Sequence, residues 1–278
     1  MNSFHHPDGT HLAFSQTGAA LPVVFLHPTP LDHDYWRPLA AHLPHVRAIL
    51  PDLRGHGSSE LGTNLPLGLF PRVPDAPVLT MAQLAADALA LLDRLGVHQA
   101  VFAGCSIGGY VLLELWRQAP ERVRGLAFIC SKPQPDAEAN FDKRAANIQQ
   151  ARTGVVAPIF DGMAHTLIGA TARKNHPVIV DECRARMTLT PEAVVAVQAG
   201  LAARPNSVPT VATISVPVLA IAGGEDPGVT PAEMQAFQAA PGGCRFHLLP
   251  DAGHFAAYEQ PQAVSALLSN WLQQFPAS

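Results

Sequence analysis

The stretch AVFAGCSIGGYVLLELW, residues 100–116, joins a short apolar run to a helical pattern. Its centre, Gly104-Cys105-Ser106-Ile107-Gly108, has the form G-x-S-x-G. A serine on a sharp turn between a buried strand and a helix is forced outward at the edge of a sheet, and the crowded turn requires small residues two positions before and after it. The helix that follows directs its first amides, that of Ile107 foremost, at the place where negative charge would develop. The stretch therefore predicts a nucleophilic serine, Ser106, in an α/β protein.

Cys105 is the competing nucleophile, because a thiolate attacks more readily than a hydroxyl. The residues two positions either side of it are Ala103 and Ile107, and a branched isoleucine fits such a turn badly. We therefore predict that Cys105 packs as a small apolar residue beneath the turn. The four cysteines of the chain are widely spaced and include no C-x-x-C pair, which predicts free thiols.

Six short apolar runs alternate with helical patterns along the chain. Each is rich in Val, Ile, Leu, Ala or Phe, as is typical of strands buried on both faces of a parallel sheet. One helix between them is predicted to begin at Thr80, with a capping box to Gln83, and to end at Gly96. The runs are PVVFLH (22–27), VRAILPD (46–52), AVFAGC (100–105), RGLAFIC (124–130), VPVLAIAG (216–223) and CRFHLLP (244–250). This alternation predicts an α/β sheet flanked by helices.

Three segments depart from the alternation. Asp8-Gly9, between SFHH and THLAFSQ, predicts a two-residue hairpin turn and an antiparallel pair of strands. Residues 61–79 hold four prolines and no period, which fits either an ordered loop near a functional face or a mere spacer. Residues 133–211 contain helical patterns and no good strand, which predicts a helical insertion between two strands.

A serine hydroxyl is a weak nucleophile, so a base and an acid must accompany Ser106. We predict His254 as the base, because it follows the last apolar run and Gly253 lets the chain turn so that the imidazole faces the same edge of the sheet. Glu225 and Asp226 follow the preceding run, and we favour Asp226 as the acid because the next residue is a proline, which favours an extended turn. Asp251 is the remaining candidate, but it is too close to His254 in sequence to face the ring.

The remaining histidines and the overall charge point away from other kinds of site. His56, in DLRGHGSS, is predicted to organise its loop. No H-E-x-x-H and no clustered Cys/His spacing is present, which predicts that the protein binds no metal. We predict that six further histidines lie at the surface: His5, His6, His11, His42, His45 and His98.

The composition is that of a globular protein that can bury a large core, with 278 residues of which 48% are hydrophobic. Its 18 basic and 22 acidic residues give a net charge of -4 without a long run of like charges, so we predict no nucleic-acid partner. The polar N-terminus lacks the apolar core of a signal peptide, and no apolar run approaches the ~18 residues needed to cross a bilayer. We therefore predict a cytoplasmic protein without a membrane partner; the sequence does not indicate an oligomeric state.

Four segments, in order and at sensible spacing, resemble landmarks of the α/β-hydrolase family, and the resemblance extends over essentially the whole chain. They are DLRGHGSS (52–59), GCSIGGY (104–110), GGEDPGVTP (223–231) and PDAGHFAAYEQP (250–261). The order Ser106, Asp226, His254 is also the family's order of nucleophile, acid and base. The resemblance implies an eight-stranded, mostly parallel sheet. In it, residues 1–132 and 212–278 form the core and residues 133–211 form a helical cap over the active site.

The loop HPTPL, residues 27–31, departs from the family pattern, which usually has His-Gly where this chain has His27-Pro28. Proline has no backbone N–H, and the resemblance implies that the next residue, Thr29, supplies one donor of the oxyanion hole beside the amide of Ile107. The prolines on both sides of Thr29 would then stiffen the donor loop. The alternative is that they merely shape an exposed turn.

Within the family, the chain looks most similar to the serine esterase and lactonase branch, including 3-oxoadipate enol-lactonases and cofactor-free haloperoxidases. This resemblance implies a hydrolase without a cofactor that cleaves a small carboxylic ester or lactone through an acyl-enzyme intermediate. Perhydrolysis, halogenation or thioester cleavage on the same triad remain alternatives, as does a non-hydrolytic ligand-binding or biosynthetic role. Dehalogenases and epoxide hydrolases use an aspartate nucleophile and are disfavoured by Ser106.

The sequence does not identify the substrate. Four apolar residues of the predicted cap either line a substrate pocket or belong to its core, and their helical spacing favours the core. They are Phe160, Met163, Leu167 and Ile168.

Overall fold

The computed structural model of the chain describes residues 1–276 and contains one eight-stranded sheet, with the strand order β1-β2-β4-β3-β5-β6-β7-β8. The strands are β1 (Asn2–His5), β2 (His11–Thr17), β3 (Leu21–Leu26), β4 (Val46–Pro51), β5 (Ala100–Cys105), β6 (Val123–Ile129), β7 (Val218–Gly223) and β8 (Cys244–Leu249). Strands β3 to β8 run parallel to one another, whereas β1 pairs antiparallel with β2 and β2 antiparallel with β4. The predicted eight-stranded, mostly parallel α/β sheet is confirmed.

The central strands are buried along their whole length. Every residue of β3, β5 and β7 is buried, because helices cover both faces of the sheet. Because strands β3 to β8 are parallel, their carboxyl ends lie at one edge of the sheet. The loops at this edge contain Thr29, Ser106, Asp226 and His254.

The chain opens with the predicted antiparallel pair, but the turn is longer than two residues. His6 donates its amide to Thr10 O and Gly9 donates to His6 O, so residues 6–10 form the connection. Gly9 has a φ of 87°, the left-handed conformation that favours glycine. The Asp-Gly signal thus located the turn, but the predicted two-residue length is wrong. A two-residue turn would need the amide at position 7 to donate to Thr10 O, and Pro7 has no amide hydrogen.

Helices fill the connections between the parallel strands. They are α1 (Arg37–Ala40), α2 (Met81–Arg94), α3 (Ile107–Gln118), α4 (Glu138–Arg152), α5 (Ala157–Leu167), α6 (Ala170–Asn175), α7 (Ile179–Ala185), α8 (Pro191–Ala202), α9 (Val208–Val211), α10 (Pro231–Met234), α11 (Ala256–Glu259) and α12 (Pro261–Leu272). Short 3-10 turns cover His33–Trp36, Pro120–Arg122 and Gln235–Ala239. Helix α2 begins after Thr80 as predicted, with the Thr80 side chain accepting from the Gln83 amide. The predicted capping box is incomplete, because the Gln83 side-chain oxygen has no hydrogen-bond partner among the described residues and its nitrogen donates to Asn64 O at 3.4 Å.

Six of these helices, α4 to α9, lie between β6 and β7, and α4 packs against α8. In the part of the chain that the structure describes, this connection contains no strand. The connection is therefore a helical insertion, formed by α4 to α9.

The proline-rich segment 61–79 is an ordered loop that packs against this insertion. Phe70 is buried, and its ring meets that of Phe141 from α4 edge-on at a centroid distance of 5.7 Å. The amide of Leu79 donates to Ala196 O of α8 at 3.0 Å. These contacts favour the ordered-loop interpretation over that of a spacer, because the loop joins the sheet side of the molecule to α4 and α8.

Candidate active site

Ser106 lies between β5 and α3 in a backbone conformation that few non-glycine residues adopt. Its φ is 53° and its ψ is -117°. Its amide donates to Ile129 O at 3.1 Å, and its carbonyl accepts from the Ser131 hydroxyl at 2.9 Å, so the neighbouring strand β6 holds the turn. Such strained positions cluster at active sites, where surrounding contacts stabilise them.

Two glycines give this turn the space it needs. A Cβ atom on Gly104 would lie 2.4 Å from the carbonyl carbon of Gly108, and one on Gly108 would lie 2.1 Å from Leu26 O of β3. Gly109 is equally restricted, because its Cβ would lie 2.3 Å from the Ser131 hydroxyl oxygen. The first two positions are those at which the sequence predicted a need for small residues.

His254 and Asp226 form a buried hydrogen-bonded pair at the ends of β8 and β7. The Nδ1 atom of His254 lies 2.8 Å from Asp226 Oδ2. The other carboxylate oxygen of Asp226 accepts from the amides of Gly228, at 2.8 Å, and Val229, at 3.0 Å. These three contacts fix the carboxylate and hold the Nδ1–H tautomer of the imidazole, which leaves Nε2 available for a proton.

Glu225, the other acid considered for this position, points to a different part of the molecule. Its carboxylate accepts from the Thr171 amide at 2.8 Å and from the Thr171 hydroxyl at 2.6 Å, at the start of α6. Asp251 is exposed. Of the three acids weighed from the sequence, Asp226 is the one that the structure brings to His254.

The loop that contains His254 is held by Glu259, a residue that the sequence analysis did not single out. The Glu259 carboxylate accepts from the amides on both sides of the histidine, Gly253 at 2.8 Å and Phe255 at 3.1 Å. It also accepts from the Gly169 amide at 3.0 Å. Burial raises the pKa of this carboxyl group. A glutamate five residues after a histidine has no distinctive sequence signal, since the contacts depend on the turn between them.

Gly253 is needed for close packing and not for a left-handed turn. A Cβ atom at this position would lie 2.3 Å from Gly169 N and 2.7 Å from Leu167 O, and Gly253 is not among the glycines with positive φ. The helical insertion therefore comes into direct backbone contact with the His254 loop, which the sequence analysis did not anticipate.

Cys105 is fully buried below the turn. Its sulfur accepts from the Tyr35 hydroxyl at 3.3 Å and lies 3.6 Å from His254 O. Burial raises the pKa of the thiol well above its usual value, so the thiolate is strongly disfavoured. These observations agree with the packing role predicted for Cys105.

The amides of Thr29 and Ile107 are both without a hydrogen-bond acceptor among residues 1–276. Thr29 and Ser106 line one cavity, and Ile107 is the first residue of α3. An unpaired amide on a cavity-lining residue such as Thr29 is available to an anionic oxygen, and the unpaired amide of Ile107 adjoins the cavity-lining Ser106.

The loop that contains Thr29 is organised by two buried histidines. His56 Nδ1 donates to Arg54 O at 3.0 Å, so its Nε2 accepts from the Thr29 hydroxyl at 2.9 Å. His27 Nε2 accepts from the Leu53 amide at 2.9 Å. The loop-organising role predicted for His56 thus has a geometric basis.

The pKa of His56 gives the first testable prediction. Burial, together with the nearby His27, lowers this pKa from 6.5 to about 3. The unfolded chain therefore binds a proton at His56 that the native protein does not bind, and native stability falls as the pH drops below 6.5. Between about pH 7.5 and about pH 5.5 we expect the unfolding free energy of the wild type to fall by about 1.4 kcal/mol more than that of His56→Gln.

Urea unfolding of both proteins at the two pH values measures this difference. The glutamine variant serves as its own reference at the higher pH, so any loss from the substitution itself cancels. Equal pH dependence in both proteins would show that His56 is not a buried neutral group.

Above Ser106 and His254 lies a cavity of about 410 Å³ that is bounded by the helical insertion. Among the apolar residues considered from the sequence, Met163 and Leu167 line it, whereas Phe160 and Ile168 are buried outside its lining. The favoured interpretation, membership of the core, holds for Phe160 and Ile168, whereas Met163 and Leu167 line the cavity and also pack against the core. The reason is that α5 turns one side to the cavity and the other to its neighbours.

Three consecutive side chains, Asp32, His33 and Asp34, bring ligand-type atoms within 4.8 Å of one another. Each has a protein partner: His33 Nδ1 lies 2.7 Å from Asp52 Oδ1, Asp34 pairs with Arg37, and Asp32 caps the turn that follows it. Burial opposes protonation of His33, but its hydrogen bond to Asp52 raises its pKa. This network stabilises the loop after β3. It was not predicted from the sequence because its members lie on two separate loops.

A strained serine and a buried histidine–carboxylate pair line one cavity at the carboxyl edge of this sheet, an arrangement typical of α/β hydrolases. The model of the alpha/beta hydrolase family matches residues 23–267. The chain therefore belongs to the alpha/beta hydrolase family.

The relatives of this chain include an enol-lactonase and a protein that is named as a bromoperoxidase. The chain is 29% identical over 272 residues to a protein of Mycobacterium tuberculosis that is named as a non-heme bromoperoxidase, covering 93% of this chain and 96% of the relative. It is 25% identical over 265 residues to 3-oxoadipate enol-lactonase 1 of Acinetobacter baylyi, covering 90% and 88%.

Among solved structures, a thermophilic esterase from Thermogutta terrifontis is similar with a TM-score of 0.87 and 31% identity, covering 98% of this chain and 96% of the esterase. The enol-lactonase from Burkholderia xenovorans LB400 is similar with a TM-score of 0.83 and 26% identity, covering 95% and 97%. The described helices include none with the length and apolar character that a bilayer crossing requires.

Proposed function

We propose that this protein is a serine hydrolase that cleaves a carboxylic ester or lactone without a cofactor or a metal. The observation that supports this most directly is the 2.8 Å contact between His254 Nδ1 and Asp226, with the imidazole and the strained Ser106 lining one cavity. Esterases and enol-lactonases among the relatives support the same class. In this proposal residues 133–211 are the cap of the site, residues 1–132 and 212–278 are the core, and the protein acts in the cytoplasm.

In the first step the Ser106 hydroxyl oxygen attacks the carbonyl carbon of the substrate. His254 takes the hydroxyl proton on Nε2, and the Asp226 carboxylate stabilises the imidazolium that forms. The amides of Thr29 and Ile107 donate to the oxyanion of the tetrahedral intermediate. When the intermediate collapses, the imidazolium protonates the leaving alkoxide, and the acyl group stays on Ser106.

In the second step water replaces the alcohol. His254 takes a proton from water, the hydroxide attacks the acyl carbonyl, and the new tetrahedral intermediate releases the Ser106 oxygen, which recovers its proton from His254. The product is a carboxylic acid, and the enzyme returns to its starting state.

The proposed oxyanion donor gives the second testable prediction. Replacing Thr29 with proline removes the amide hydrogen, so we expect kcat to fall by ~10²- to 10³-fold with little change in KM. Steady-state kinetics on a p-nitrophenyl ester measure both constants.

Thr29→Ala is the matched control, because it keeps the amide but, like the proline variant, loses the hydroxyl that donates to His56. We expect Thr29→Ala to be destabilised by about 1–3 kcal/mol through the unpaired His56 nitrogen and to retain most of its kcat. An alanine variant as slow as the proline variant would contradict the amide role and implicate the hydroxyl.

The similarity to a protein named as a non-heme bromoperoxidase supports a second candidate, perhydrolysis or halogenation on the same triad. In perhydrolysis, hydrogen peroxide takes the place of water in the second step and the product is a peracid. Thioester cleavage and a non-hydrolytic ligand-binding or biosynthetic role remain further candidates.

A labelling reaction and a substrate panel test the proposal. A fluorophosphonate probe is expected to label the wild type on Ser106, whereas a pure binding protein need not activate its serine. Rates on p-nitrophenyl esters, enol-lactones and thioesters, with and without hydrogen peroxide, then separate the candidates. Absence of both labelling and turnover would overturn the proposed hydrolase.

A further inference from the structure

The part of the cavity formed by α4, α8 and the residues after α8 is rich in cationic and amide donors. Four basic side chains line the cavity against a single carboxylate, that of Asp136. We call Lys143, Arg144, Gln198 and Arg204 the basic end of the cavity. None of these residues has a place in the proposed acyl-transfer steps.

The one carboxylate in this region is already saturated. Asp136 accepts from Arg144 Nε at 2.9 Å, from Asn140 Nδ2 at 3.0 Å and from Arg204 Nη2 at 3.4 Å. Burial opposes ionisation of Asp136, but the charges of Arg144 and Arg204 lower its pKa. Asp136 therefore neutralises one guanidinium group, and the second one remains uncompensated.

Several donors at the basic end have no acceptor in the described part of the chain. Arg204 is buried, with 6% of its surface exposed, and its Nε atom has no hydrogen-bond partner. Gln198 is buried and uses its side-chain oxygen to accept from Arg144 at 3.0 Å, while its amide nitrogen donates to no described residue. Lys143 is exposed and forms no ion pair within residues 1–276. A fourth cation, Lys132, is held by Glu233.

Arg204 of the basic end lies close to Ser106, the proposed nucleophile. Tyr110 lies one helical turn after Ser106 on α3, and the guanidinium carbon of Arg204 lies 4.4 Å from the centre of the Tyr110 ring. One helical turn and one stacked side chain together place the Arg204 guanidinium on the order of 10 Å from Ser106. An anionic group there would be separated from the scissile carbonyl by a short chain.

We propose that the basic end binds a carboxylate on the acyl part of the substrate, an inference that rests on the proposed hydrolase function. The preferred substrates are then half-esters of short dicarboxylic acids. Guanidinium and amide donors with an excess of positive charge match a carboxylate in both charge and hydrogen-bonding capacity. The acyl part contains the carbonyl that is attacked in both steps of the proposed mechanism. A contact to the acyl part therefore orients this carbonyl in both steps.

Matched probes test the proposal. Mono-p-nitrophenyl esters of succinate, glutarate and adipate are compared with the corresponding esters in which a carboxamide replaces the free carboxylate. At the best chain length we expect kcat/KM of the carboxylate to exceed that of the carboxamide by at least ~10-fold. Added salt is expected to reduce this preference. A preference below about twofold at every chain length would overturn the proposal.

Variants locate the effect. Arg144→Gln and Lys143→Gln should each reduce the carboxylate preference, and Lys143→Glu should reduce it further. Lys174→Gln is the matched control, because Lys174 is also an exposed lysine of the helical insertion but does not line this cavity. An unchanged preference in Arg144→Gln and Lys143→Glu would contradict the assignment.

A binding measurement separates this inference from the proposed function. Calorimetric titration of the wild type with glutarate is expected to show binding that weakens in Arg144→Gln, while glutaramate, with one carboxamide, binds more weakly. Turnover of both ester series at equal kcat/KM would overturn the carboxylate site but keep the hydrolase. Glutarate binding without turnover or Ser106 labelling would overturn the hydrolase but keep the site.

Discussion

Replacing Ser106 with alanine is expected to lower the turnover of a p-nitrophenyl ester by up to ~10⁶-fold. The reason is that the proposed covalent route has no other nucleophile: the neighbouring thiol of Cys105 is fully buried and its pKa is raised. Alanine keeps the backbone conformation of position 106, so the fold should be retained. Initial rates at saturating substrate measure the loss, and circular dichroism checks the fold.

Cys105→Ala is the matched control for the nucleophile. It removes the contact between the sulfur and the Tyr35 hydroxyl, so some loss of stability is expected, but the fluorophosphonate should still label Ser106. An active Ser106→Ala enzyme combined with an inactive Cys105→Ala enzyme would show that the nucleophile has been misassigned.

Replacing Asp226 with asparagine is expected to lower kcat by ~10⁴-fold, because an asparagine amide stabilises the wrong tautomer of His254. The carboxylate accepts from the imidazole at 2.8 Å and from the Gly228 and Val229 amides. An asparagine can keep the two backbone contacts through its oxygen while its NH₂ group faces Nδ1. The kcat of Asp226→Asn, measured on the ester used for Ser106→Ala, gives the size of the loss.

Glu225→Gln is the neighbouring control, because Glu225 contacts Thr171 at the start of α6 and not the histidine. We expect this variant to lose far less activity than Asp226→Asn. Losses of similar size in the two variants would contradict the assignment of Asp226 as the acid.

Much of the fold was predictable because its signals are local. The apolar runs, the alternation with helices and the G-x-S-x-G turn are each contained within a few residues, and the strand bounds followed from them. The preference for Asp226 over Glu225 also began from a local signal, the proline at position 227. The structure adds an independent reason to exclude Glu225, because its carboxylate accepts from the Thr171 amide and not from His254.

The features that were not predicted depend on residues that lie far apart in sequence. Arg144 and Arg204 meet Asp136 only because α4 packs against the end of α8. The contact of Glu259 with Gly169 likewise requires the helical insertion to lie on the His254 loop. A single sequence contains no periodicity or motif that brings such partners together, so the chemistry of the cavity wall could not be derived from it.

The strained backbone of Ser106 means that, under the proposed mechanism, stability and activity compete at one residue. A non-glycine residue at a φ of 53° and a ψ of -117° costs on the order of 1–3 kcal/mol of folding free energy, which the contacts of β5, β6 and α3 must offset. A glycine at this position would release the strain and lose the hydroxyl. Attempts to raise the thermal tolerance of this protein should therefore leave the serine turn unchanged and stabilise distant regions.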